Sequence, residues 1–226
     1  MLVRTRYGHI EGLIMKIGVL GSGDVGKVLA AGFLDEGHEV MLGTRTPAKL
    51  SAWTQEKPTA RVGTFAQTAA FGELIVLALQ GSAAQEVLGA VGATHLAGKV
   101  VIDATNPIAG EAPTDGVLRF FTNLDESLME RLQKDFPAAR FVKAFNSVGN
   151  ARMIHPQYGG IRPTMFICGN DPQAKQTVTR ILTDFGWETE DMGTAVAARA
   201  IEPLCMLWCI PGFTRNQWTH AFKLLK

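Results

Sequence analysis

The sequence predicts an α/β protein: a doubly wound parallel sheet followed by a small α/β extension. Three observations predict it. Strand-like and helix-like stretches alternate from residue 15 to about residue 150. The strand-like stretches are unbroken apolar runs, as expected of strands covered by helices on both faces. The first of them passes through a glycine-rich turn into a helix.

That first unit is residues 15–30, Met-Lys-Ile-Gly-Val-Leu-Gly-Ser-Gly-Asp-Val-Gly-Lys-Val-Leu-Ala. Residues 17–20 form the strand, and Gly21, Gly23 and Gly26 carry the G-x-G-x-x-G spacing of a dinucleotide site. Gly21 permits the tight turn, Gly23 lets backbone approach a pyrophosphate, and Gly26 lets the helix pack closely. The helix N-terminus then offers free N–H groups and a partial positive charge. The second strand, residues 39–43, should end beside the adenosine ribose. An NAD site usually places Asp or Glu there for the 2′-hydroxyl. This chain has Gly43-Thr44-Arg45-Thr46 instead, with Lys49 one turn further on a helix that Pro47 starts. A guanidinium, a hydroxyl and an ammonium around one point suit a phosphate dianion, so the cofactor read here is NADP.

The remaining elements follow in order. A helix passes Leu50 and Trp53, a short third strand covers residues 60–63, and residues 65–70 make a short helix. Residues 73–79 are the fourth strand, and Ser82 caps the helix through Val87 and Val91. Residues 99–104 are the fifth strand. After a loop with Gly110, Pro113 and Gly116 come a helix over 124–135 and a sixth strand over 140–145. Six such units give the doubly wound sheet. Three segments result: an extension over 1–14, non-native or disordered; a Rossmann domain over 15–150; and a C-terminal part over 151–226 supplying substrate pocket and dimer contacts. In that last part residues 164–169 read as a strand. Asp171 and Pro172 start a helix to about Phe185, and 187–190 are a short strand. Residues 195–209 are an apolar helix ended by Pro211-Gly212, and 214–226 a last helix.

Composition narrows the function. Net charge is +1 on 226 residues, which offers nothing to nucleic acid or an anionic membrane surface. The three cysteines, Cys168, Cys205 and Cys209, lack framework or zinc spacing and point to a reducing, cytoplasmic compartment. The most apolar run, 204–213, falls short of the ~20 residues a membrane span needs, and residues 1–14 lack a signal-peptide core.

The chain resembles the coenzyme F420 (deazaflavin-dependent) NADP oxidoreductases. The resemblance rests on Gly-Ser-Gly-Asp-Val-Gly at 21–26, Gly-Thr-Arg with Lys49 at 43–49, Asp-Ala-Thr-Asn-Pro at 103–107 and Lys-Ala-Phe-Asn-Ser-Val at 143–148. Cys-Gly-Asn-Asp at 168–171 and Asp-Met-Gly at 191–193 complete it. The cytosolic reductase domain of the six-transmembrane metalloreductases is similar in the same pieces. The resemblance implies that Ser22, Gly23, Asp24 and Val25 surround the pyrophosphate, and that Thr44, Arg45 and Lys49 hold the 2′-phosphate. Leu79, Gln80 and Ala84 would line the second nucleotide, with Asn106 and Asn146 to Asn150 near the nicotinamide. It also implies a homodimer and a deazaflavin or flavin as the small-molecule partner. Leu79-Gln80 and Ser147-Val148-Gly149 depart from some archaeal members, at positions that bear on the acceptor.

Hydride transfer between stacked rings needs position more than a protein acid or base. Accordingly no catalytic residue and no metal ligand set is expected. His155 is the histidine expected nearest the nicotinamide. The acceptor is expected between residues 106–109, the turn 147–150 and the helix 195–209. Two other functions compete. One is an NADP(H) sensor without turnover. The other is a hydroxyacid or imine reductase, which needs a long helical domain that residues 151–226 cannot supply.

Overall fold

The computed structural model describes residues 14–226; the expected extension over 1–14 lies almost wholly outside them. Six parallel strands form the main sheet: β1 (Lys16–Leu20), β2 (Glu39–Gly43), β3 (Arg61–Gly63), β4 (Leu74–Leu77), β5 (Val100–Asp103) and β6 (Arg140–Lys143). Their spatial order is β3-β2-β1-β4-β5-β6. The order reverses between β1 and β4, which pair in register from Ile17 with Leu74 to Leu20 with Leu77. Ligands of such sheets bind at the carboxyl ends of the strands, at that reversal.

Alternation along each strand builds two cores. Ile17, Val19, Val40, Leu42, Leu74, Val76, Ile102 and Val142 face one way, against Leu29 and Phe33 of α1 (Asp24–Asp35). Leu20, Ile75, Leu77, Val101 and Phe141 face the other, against Leu88 of α4 (Gly81–Val91) and Leu132 of α5 (Leu128–Asp135). Each fully buried aliphatic or aromatic side chain contributes roughly 1.5–3 kcal/mol. The short helices α2 (Ser51–Glu56) and α3 (Phe65–Phe71) complete the β2–β3–β4 connections, α3 closed by a Thr64/Gln67 capping box.

The second part holds β7 (Thr164–Ile167), α6 (Pro172–Asp184), β8 (Glu188–Asp191) and α7 (Ala198–Arg215). Asp171 caps α6 by accepting from Ala174 N at 2.7 Å, as the sequence predicts. β7 and β8 pair with each other and meet the main sheet at a single antiparallel bridge, Lys143 with Cys168.

Four expectations need correction. α5 begins at Leu128 rather than Leu124, because Asn123 Oδ1 ties the N–H groups of Asp125 and Glu126 into a turn. Ser127 then starts the helix in a capping box with Glu130. α4 begins at Gly81 with Gln80 in the capping place, so Ser82 is inside the helix. α7 does not end at Pro211-Gly212. The amide missing at Pro211 would have bonded Leu207, a residue open to water, and the helix runs on to Arg215, where Asn216 closes it with a φ of 53°. With the 3₁₀ turn before it, the helix over Ala195–Arg215 is by length and composition apolar enough to cross a membrane, with a third of its apolar window buried in the protein.

The fourth correction is the expected last helix. Residues 216–226 are an extended strap that turns back over α7. Trp208 Nε1 donates to His220 O at 2.9 Å, and the Trp208 and Trp218 rings lie 5.7 Å apart. The strap then reaches β7, where Thr164 N donates to Phe222 O at 2.9 Å and Leu224 N to Thr164 Oγ1 at 3.1 Å. Helix propensity loses to these tertiary partners.

Candidate active site

The glycine turn sits at the reversal point. Gly21 has a φ of 123°, and a Cβ there would run into Ala78 O at the end of β4. A Cβ on Gly26 would strike Gly21 O, so α1 packs directly on the turn. A Cβ on Gly23 would meet nothing within 4 Å, so the space before it is open at the N-terminus of α1. That lets backbone approach a pyrophosphate there. Ser22 and Val25 are half-buried around it, and Asp24 opens α1 with its side chain exposed.

The turn is tied to the end of β2. Gly21 N donates to Gly43 O at 3.1 Å, and Ser22 Oγ donates to Thr44 Oγ1 at 3.0 Å. Thr44 is buried, while Arg45 and Lys49 are exposed beside it. Neither base makes an ion pair among the described residues. The strand end thus presents two uncommitted cations and no carboxylate, a donor set that fits a phosphate.

On the other side of the reversal, Leu79 lies over Gly21, and Gly81 packs on the carbonyl of Asn106. Asn106 is half-buried and locked to Asn146. Its Nδ2 donates to Asn146 O at 2.8 Å, and its Oδ1 accepts from Asn146 Nδ2 at 3.2 Å. Asn146 Nδ2 also donates to Ile201 O at 2.9 Å. A carbonyl can only accept, so this bond fixes which end of the Asn146 amide is nitrogen. Asn146 itself is 4% exposed. It stands behind Asn106 and holds it. Asn150 begins a 3₁₀ turn, Asn150–Arg152, that closes from Gly149.

Two expected positions are displaced. Ala84 is fully buried in the core against Leu20 and Leu88 and has no surface to line a nucleotide. His155 is at the opposite end of the sheet. Its Nε2 is 3.0 Å from Glu36 Oε1, beyond the carboxyl end of α1, and its N–H donates to Phe185 O. The turn 147–150 is also not a free wall: a Cβ on Gly149 would lie 2.8 Å from the Trp208 ring. The open space lies elsewhere. A cleft of about 540 Å³ is lined by Gly81, Ser82, Gln85, Ile108, Phe121 and Arg131, directly beyond Asn106. The Arg131 guanidinium sits 6.0 Å over the Phe121 ring.

Sequence reasoning missed a charged network beneath these residues. Lys143 Nζ lies 2.7 Å from Asp103 Oδ2, 3.0 Å from Glu202 Oε1 and 2.9 Å from Thr105 O. Asp103 Oδ1 accepts from both Thr105 N and Thr105 Oγ1. Glu202 accepts from Leu128 N and Met129 N at the start of α5, each at 3.0 Å. All three charged residues are at most 1% exposed. Burial alone would push the Lys143 ammonium down, but Asp103 and Glu202 outweigh it and hold its pKa above the ordinary lysine range. The signal was available: one Lys inside an apolar strand and one Glu inside an apolar helix must be paired if buried.

The chain is similar to known proteins along most of its length. The family model for NADP oxidoreductase, coenzyme F420-dependent, matches residues 16–107. A 1.70 Å crystal structure from Arthrobacter sp. FB24, of a candidate F420-dependent NADP-reductase, superposes with a TM-score of 0.88. It is 34% identical and covers 94% of this chain and 100% of its own. Metalloreductase STEAP3 of Rattus norvegicus is 30% identical over 200 residues, 87% of this chain, and metalloreductase STEAP2 of Homo sapiens 27% over 190 residues, 83% of it. The chain spans 38% and 35% of the lengths of these two curated relatives. With 34% identity over the whole of the Arthrobacter protein, the chain belongs to the coenzyme F420-dependent NADP oxidoreductase family, and NADP is its cofactor.

Proposed function

We propose that this chain transfers hydride between NADPH and a planar ring acceptor of the deazaflavin or flavin type. The observation that carries the reading is the cleft beyond Asn106, which adjoins the nucleotide site and has apolar walls, Ile108 and Phe121, each 37% exposed. In this reading the N–H groups at the start of α1 and Ser22 hold the pyrophosphate. Thr44, Arg45 and Lys49 hold the 2′-phosphate, and Asn106, braced by Asn146, orients the nicotinamide end. When bound, NADPH supplies the hydride from its nicotinamide ring. The protein's part is alignment, which in ideal intramolecular cases removes roughly 7–11 kcal/mol of barrier.

Phe121 offers the cleft an aromatic face for stacking an electron-poor acceptor ring, while Arg131, paired with Glu126 at 2.8 Å, and Glu111 put charges of both signs on its wall. The similarity to metalloreductases favours a second reading, in which a flavin taken up in this cleft passes electrons onward to a metal. We further place the protein in the cytoplasm on the strength of its free thiols. Its α7 would meet a second copy through Leu207 and Phe213, which are 55% and 47% exposed.

The test is stopped-flow oxidation of NADPH with a deazaflavin, FMN and a ferric chelate. Oxidation by either ring compound is the expected result, and Phe121→Ala should raise the acceptor KM several-fold with the NADPH Kd unchanged. Oxidation of bound NADPH at no more than the buffer rate with every acceptor would leave the sensor reading in its place.

A further inference from the structure

Asp103, Lys143 and Glu202 carry two negative charges and one positive, so the buried network holds a net charge of −1. Burying a charge is expensive unless it is compensated. Among the described residues the excess is met by neutral donors: the N–H groups of Leu128 and Met129 on Glu202, and the N–H and hydroxyl of Thr105 on Asp103. The neighbouring Arg199–Glu130 pair is itself neutral. Arg199 Nη2 donates to Glu130 Oε1 at 2.7 Å, and Ser127 adds two further donors to that carboxylate. No second cation therefore reaches the network among the described residues.

Its position is specific. Asp103 ends β5, Lys143 ends β6, and Glu202 comes from α7. All three meet under Thr105, the residue before Asn106, and Lys143 binds the Thr105 carbonyl directly. Ile201, next to Glu202, receives the Asn146 amide that braces Asn106. The network is thus both the mechanical base of the Asn106–Asn146 pair and a fixed negative charge behind it.

We propose that this Asp103–Lys143–Glu202 network is the positioning and electrostatic base of the nicotinamide end, favouring the cationic oxidised ring over the neutral reduced one. The inference rests on the cofactor reading above. An oxidised nicotinamide carries a positive charge that the reduced ring lacks, so a fixed anion in a low-dielectric interior stabilises NADP⁺ relative to NADPH. Bound NADPH becomes the better hydride donor for it.

The readout is the ratio of two dissociation constants, measured by calorimetry without any acceptor. Glu202→Gln and, independently, Asp103→Asn each remove one charge while keeping a polar group of the same shape. Each should weaken NADP⁺ relative to NADPH about 10-fold, the size expected of one charge at protein-like dielectric. Glu202→Asp, which keeps the charge, should retain the wild-type ratio, as should the double variant Asp103→Asn with Lys143→Met, whose net charge is still −1. Binding of 2′-phospho-ADP-ribose, which lacks the ring, should not change in any of them. A network that only stabilises the fold would shift NADP⁺ and NADPH together. That result, or an unmoved ratio in both charge-removing variants, overturns the proposal while leaving the cofactor reading intact. Failure of the wild-type chain to bind either dinucleotide would overturn both.

Discussion

The exposed guanidinium of Arg45 shows how much one residue can decide. It stands where an acid would select NAD, and among the described residues no carboxylate pairs with it. Losing a charge-assisted hydrogen bond costs ~1.5–3 kcal/mol, so Arg45→Ala should weaken NADPH binding at least ~10-fold and leave NADH binding nearly unchanged, by fluorescence titration. Equal affinity of the wild-type protein for both dinucleotides would contradict it. The glycines of the turn separate in the same way. Gly23→Val places its side chain in open space, so the protein should melt at its usual temperature yet bind no dinucleotide by calorimetry. Gly26→Ala would instead strike the Gly21 carbonyl and should lower the melting temperature itself. His38 gives a pH prediction at this scale. Burial pulls its pKa below 6.5, so below that pH the unfolded chain binds the proton more readily. Stability should therefore rise with pH from the lowered folded value up to about 6.5 and then level off. A His38→Gln variant should lack that rise in urea titrations.

At the scale of elements, α7 is held to α5 at two points: Glu202 on its first N–H groups and Arg199 on Glu130. The Arg199 hydrogen bonds, helped by Ser127, hold the Glu130 carboxyl below its usual 4.5. A depressed carboxyl contributes its stability above the unfolded value and loses it as pH falls through the folded one. Arg199→Met should therefore flatten the acid limb of the stability profile below about pH 4.5, measured by urea midpoints. The elements also show what a sequence reveals. Strands β1, β2, β4 and β5 were legible because short apolar runs leave few alternatives, and the turn at Gly21 because three glycines each answer a separate steric demand. The boundaries that moved did so for local hydrogen bonds, such as Asn123 stopping α5 short of Leu124. The strap was illegible because its partners, Trp208 on α7 and Thr164 on β7, lie far away in sequence. The charged network was half legible: Lys143 in an apolar strand and Glu202 in an apolar helix each called for a partner, but only the topology brings Asp103 to them. Ala84 and His155 were misplaced because spacing along a helix or loop does not say which end or face meets the ligand.

At the scale of the whole molecule, the strap closes what the Rossmann units leave open. Trp218 lies on Gly212 and edge-on to Phe213, at 5.1 Å, while Lys223 and Lys226 pair with Glu188 and Glu190 of β8. Trp218→Ala should uncover Trp208 and lower the melting temperature by several degrees, since each kcal/mol lost from a protein of this size is worth about 2–4 °C. An unchanged melting curve would show that the strap only rests on the surface. The backbone pairing of Phe222 with Thr164 has a consequence for how copies of this protein can meet. An unpaired strand edge is a template on which another chain can add a strand, the route to domain swapping and fibres. The protein's own backbone already occupies that side of β7, and Cys168 already meets β6 at Lys143. Strand-by-strand growth is therefore blocked at these two places, and the three-residue β3 remains as an edge of the main sheet.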